Sequence, residues 1–129
     1  MHAEGFFISD RDIARWSEPL VADSIYCAYE RCRPSRLAAS TLGRLHCQVW
    51  RCLLDGETIV ARRLRQDLVK EGQAHGITAT TMDAIDATVI EELLVVVMRR
   101  SQRSRAMARS EGMTLVNAAS ALGEIRAAA

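Results

Sequence analysis

Three histidines, four cysteines and two close carboxylate pairs are the side chains of this 129-residue sequence that could hold a metal, act as nucleophiles or share a proton. A metal would need several of them on one face. Cys27, Cys32, Cys47 and Cys52 form two Cys-x4-Cys pairs, and residues five apart on a helix point about 140° away from each other. That is not the spacing of a zinc knuckle, so buried or half-buried free thiols in a reducing compartment are expected. Asp83 and Asp86, and the adjacent Glu91 and Glu92, fall in a helical segment; acidic residues near a helix start favour its positive end and are expected in solvent.

The histidines are equally sparse as catalysts. His2 is terminal, and His46 borders an apolar helix face, where a core-edge ring bonded to a carbonyl is expected. His75 stands beside Gly76, about 20° round a helix from Leu68, and an imidazole there favours the last carbonyls of the helix. No Glu precedes a His by three residues, and there is no Gly-rich phosphate loop, Gly-x-Ser-x-Gly or His-Glu-x-x-His. The sequence has no positive sign of an enzyme, and no metal site is expected.

The elements that would position these residues are helices. Prolines number two, and Ala, Leu, Arg and Glu dominate, so no sheet is expected. With 49% hydrophobic and 26% charged residues the chain suits one globular domain, 1–129. A net charge of +1 gives no field to draw in nucleic acid. The longest apolar run, Leu93 to Met98, is too short to span a bilayer, and the first dozen residues lack signal-peptide features, so a cytoplasmic protein is expected.

Six helices are predicted. Ser9 to Asp12 resembles a capping box, with Ile13 and Trp16 beginning an apolar face before Pro19 restarts the helix at an angle. The second helix carries Leu20, Ile25, Ala28 and Tyr29 and ends near Arg33, before Pro34. The third has a wide face of Leu42, Leu45, Val49, Trp50, Leu53 and Leu54, stopped at Gly56. In the fourth, Val60, Leu64 and Leu68 make a narrow stripe that leads to Gly72, leaving Arg62, Arg63, Arg65, Gln66 and Lys70 solvated.

Thr80 to Asp83 can cap the fifth helix. Met82, Ile85, Val89, Leu93 and Val96 form one apolar face of it and Ile90, Leu94, Val97 and Met98 another, a pattern that suits a central helix or one covered by a second subunit. After a basic turn from Arg99 to Arg105, Leu115, Ala118, Leu122, Ile125 and Ala129 form a short heptad-like seam.

Three stretches carry a family likeness over most of the chain. They are "ARWSEPLVADSIYCAYERCRP", "LGRLHCQVWRCLLDGE" and "EGQAHGITATTMDAIDATVIEEL". Their order resembles the sensor globin domain of globin-coupled sensors, dimeric helical domains that precede bacterial signalling modules. The resemblance implies an all-α, globin-like fold of about six helices that dimerises through its last two long helices, with 110–129 as a connecting helix. In that family a histidine four residues before the corner glycine ligates haem. Aligned on Gly76-Ile77, the ligand position is Gly72, which offers iron no donor atom.

The resemblance therefore implies a haem-free, homodimeric cytoplasmic sensor or regulatory domain. Leu64, Leu68 and Gly72 would line its ligand pocket, and Val89, Leu93, Val96, Leu115 and Leu122 its dimer interface. The signal would pass along the C-terminal helices to an output domain or partner protein. Two alternatives remain: a haem-binding oxygen or redox sensor ligated by His75, with Tyr26 opposite, and a helical adaptor whose fifth helix docks a partner.

Overall fold

The computed structural model describes residues 10–32, 35–101 and 105–128. Every regular element among them is an α-helix: α1 (Asp10–Arg31), α2 (Arg36–Leu54), α3 (Thr58–Ala74), α4 (Ala79–Ser101) and α5 (Arg105–Ala128). The expected first and second helices are one, because α1 runs without a break through Pro19. Proline removes one backbone donor but holds a φ that a helix accepts. The second half of α1 is fixed from outside by the burial of Val21, Ile25 and Tyr29. Ser9 and Pro34, which carry the expected start and stop of these helices, lie outside the described residues, as does part of the basic turn.

Local chemistry sets the remaining ends. Ser35 Oγ accepts from the Ala38 N–H at 3.2 Å and caps α2. Thr78 Oγ1 accepts from the Thr81 N–H at 3.3 Å, so α4 starts before the Thr80–Asp83 cap that the sequence suggests. At the end of α3 the Ile77 N–H bonds the Gly72 carbonyl at 2.8 Å and the Gly76 N–H bonds that of Gln73 at 3.2 Å. This paired closure needs a left-handed residue, and Gly76 supplies it with φ 76°.

α2 is the central element, packed against α1, α3 and α5, while α4 packs against α5 and α1. Its face is buried as the spacing predicts: Leu42, Val49, Trp50, Leu53 and Leu54 enter the core, with Leu45 at its margin. Met82, Ile85, Val89 and Leu93 of α4 meet Leu115, Ala118, Leu122 and Ile125 of α5 in the same core. The C-terminal seam is thus satisfied within one chain. No helix among the described residues is long and apolar enough to cross a membrane.

α3 departs most from the expected stripe. Val60 is 47% exposed and Leu64 is half-buried, while Ala61, Arg65, Leu68 and Gly72 face inward. The helix is rotated by about one residue from the line of its largest aliphatics. Ala61 and Gly72 contribute little apolar area, so Leu68, whose burial is worth about 1.5–3 kcal/mol, does not hold the helix alone. The remaining inward position is an arginine, and its partners lie on α4.

Candidate functional site

A charged group taken out of water must be paired and hydrogen-bonded. Asp86 of α4 is fully buried, and donors from three other helices meet it. On α2, His46 and Trp50 are one turn apart and share a face. His46 Nε2 lies 2.6 Å and Trp50 Nε1 2.8 Å from Asp86 Oδ1. Arg65 Nη1 of α3 donates to Asp86 Oδ2 at 2.8 Å, and Arg126 Nη2 of α5 donates to the same oxygen at 2.7 Å. A carboxylate has about four acceptor sites, and all four are in use.

α1 completes the network through Tyr29, whose hydroxyl lies 2.7 Å from His46 Nδ1. Burial first, and then the negative charge of Asp86, push the Tyr29 phenol far above its ordinary range. It therefore stays protonated and donates to Nδ1, which leaves the ring proton on Nε2 to be donated to Asp86. A second carboxylate, Asp83, lies one turn before Asp86. Its Oδ1 accepts from Arg65 Nη2 at 2.9 Å and lies 3.0 Å from Arg126 Nε. That last contact is an ion pair without hydrogen-bond alignment. Two carboxylates and two guanidiniums balance in charge, and one acid group ties all five helices together.

Burial alone would raise the Asp86 carboxyl. The hydrogen bond from His46 and the guanidiniums of Arg65 and Arg126 more than reverse this and hold it well below the usual carboxylate range. Because the folded state binds this proton less readily than the unfolded chain, the stability contribution is complete above the unfolded value of about 3.9 and is lost as pH falls below it. Urea unfolding between pH 7 and pH 3 is expected to show stability dropping steeply below about pH 4. That part of the drop should be missing in Asp86→Asn; an equal acid slope in the variant would contradict the assignment.

Several expectations are corrected here. Asp86 and Arg65, expected in solvent, are buried, and Asp83 is half-buried; the reason is their mutual pairing. His46 lies inside the core rather than at its edge, and its partners are a carboxylate and a phenol, not a carbonyl. The side chains of Cys27 and Cys32 are exposed, whereas Cys47 and Cys52 are half-buried. Burial, with Glu57 and Asp55 nearby, pushes the Cys52 thiol up, away from the reactive thiolate. Among the described residues no three His, Cys, Asp or Glu side chains gather as a metal site.

Of the residues suggested to line a ligand pocket, Leu64 is half-buried and packed on the core, and Leu68 and Gly72 are buried. Leu68 is in the core, and a Cβ on Gly72 would run into the Met82 side chain and lie 3.3 Å from the Ile77 carbonyl. His75 ends α3 as its C-cap residue, with its side chain exposed. Tyr26 packs its ring on Gly43 of α2. The expected dimer residues Val89, Leu93, Leu115 and Leu122 are buried within the chain itself, and Val96 is half-buried. Covered by their own core, the first four have no surface to give a second copy. Among the described residues of these helices, the large apolar side chains left exposed are Leu94, Val95 and Met98 on α4 and Met113 and Val116 on α5.

A cavity of about 340 Å³ lies beside the network, between α3 and the end of α5. Arg65 contributes to its wall, so the cavity adjoins the Asp86 cluster through the same guanidinium. No family model, curated protein or solved structure matches the chain. The likeness to sensor globin domains accordingly rests on the three sequence stretches alone.

Proposed function

We propose that the chain is a homodimeric sensor or regulatory domain of globin-like type, without haem, that passes a conformational signal through α4 and α5. The observation that carries this reading is the convergence of all five helices on Asp86. Its oxygens already accept four hydrogen bonds, so it is not free to abstract a proton from a substrate. What it can do is fix the relative positions of α3, α4 and α5. A shift of α3 against α5 must rearrange the two guanidiniums, which gives the bundle discrete packed states and links an input on α3 to the output helices.

The haem-free form is supported by Gly72, which has no side chain to ligate iron and has Met82 packed beside it. Support for a second copy comes from Leu94, Val95, Met98, Met113 and Val116, apolar side chains on the outward faces of the two helices assigned to output. Light scattering is expected to give twice the 14.3 kDa chain mass. Met98→Glu combined with Val116→Glu should halve that mass while leaving helix content nearly unchanged, because both positions face away from the core. A monomer at all concentrations would overturn the homodimer and favour an adaptor that docks a different protein.

A further inference from the structure

The cavity between α3 and α5 has a composition that the Asp86 network does not explain. Along α3, Arg62, Gln66 and Lys70 recur every four residues and line one edge, all exposed. Eight residues of helix span about 12 Å, so the two cations flank an elongated space. Val69, Ile125 and Ala128 form its apolar side. Arg65 also borders it, but this guanidinium is engaged by Asp83 and Asp86. Arg62 and Lys70 pair with no carboxylate among the described residues. The site therefore presents unspent positive charge beside apolar surface, in a volume near the lower end of small-molecule sites, about 300–1,000 Å³.

We infer that this cavity binds an organic carboxylate with an apolar body, its head paired with the Arg62 guanidinium at one end, its body laid on Val69 and Ala128, and Lys70 adding positive charge at the other end. A guanidinium favours a carboxylate through two parallel hydrogen bonds. The apolar side adds area burial that a bare inorganic anion cannot use. Such a ligand touches α3 and α5 together, the two helices whose arginines meet at Asp86, and so holds them in one relative position. This deepens the sensor reading by supplying its input, while binding itself is measured independently of that reading.

Decanoate is the probe, titrated calorimetrically into the full chain, with 1-decanol as the neutral counterpart. Saturable binding of decanoate is expected, at least tenfold tighter than that of decanol. Arg62→Glu with Lys70→Glu should weaken decanoate at least tenfold while circular dichroism shows unchanged helix, since both side chains are at the surface. Absence of saturable binding, equal binding of decanol, or indifference to the charge reversal would each overturn the site. Light scattering of the same samples separates the two readings: bound decanoate on a monomeric chain keeps the site and removes the homodimer.

Discussion

Asp86→Ala is expected to destabilise the fold by about 3–5 kcal/mol, the cost of removing one partner from a buried ion cluster, and to lower the melting temperature by roughly 10–20 °C. The substitution strips an acceptor from His46, Trp50, Arg65 and Arg126 at once. Arg65 is then the most exposed to loss, because it is 6% accessible and cannot turn to water without moving α3. Asp86→Asn should be nearly as damaging. An amide keeps one acceptor oxygen but points an N–H₂ group at two donors, either the arginine pair or His46 and Trp50. Indole N–H cannot invert its role, and neither can guanidinium. Urea denaturation of the two variants checks this; a loss below about 1 kcal/mol, the scale of an ordinary hydrogen bond, would mean that the cluster is not the clasp described.

Arg65→Met is expected to cost about 2–4 kcal/mol, less than Asp86→Ala because Arg126 still pairs with Asp86. The loss falls on α3 in particular. This helix buries only Ala61, Leu68 and Gly72 besides the arginine, so its docking depends on the Arg65 contacts to Asp83 and Asp86. Hydrogen exchange should show α3 amides opening more readily than those of α2. Arg62→Met and Arg63→Met, exposed on the same helix, should change stability by no more than about 0.5 kcal/mol. Similar losses at all three positions would contradict the special place given to Arg65.

Features set by local chain chemistry are legible in the sequence, whereas pairing between distant helices is not. The all-helical class, the α2 face from Leu42 to Leu54 and the glycine corner at Gly76 depend on propensity, spacing and a backbone angle, all of which are local. The spacing in α3 points to Val60 and Leu64 because they outrank Ala61 and Arg65 in hydrophobicity, yet Ala61 and Arg65 are the buried pair. Nothing within the helix makes an arginine a buried residue. Its burial is favourable only because Asp86, 21 positions later, arrives opposite it. Asp86 itself left a faint trace, a carboxylate set between Ile85 and Val89 on an otherwise apolar line, easily mistaken for a helix-start acid.

Arg126 and Tyr29 could not be assigned to the site for the same reason. They stand 40 and 57 positions from Asp86, and their role depends on how whole helices rotate and pack. Trp50 was legible as a core residue but not as a donor, since its N–H matters only when an acceptor is buried beside it. The apolar character of α4 and α5 is legible in the sequence, but what covers each face is not. Val89, Leu93, Leu115 and Leu122 close the chain's own core, and the residues one helical face away are the ones left uncovered.

The claim that a buried carboxylate and arginine jointly fasten α3 to α4 is tested most directly by a double-mutant cycle on Arg65→Met and Asp86→Asn, read by urea denaturation. The account predicts that the double variant loses less stability than the sum of the single losses, by about 1–3 kcal/mol. Losses that add within about 0.3 kcal/mol would show that the two side chains act independently and would contradict the clasp.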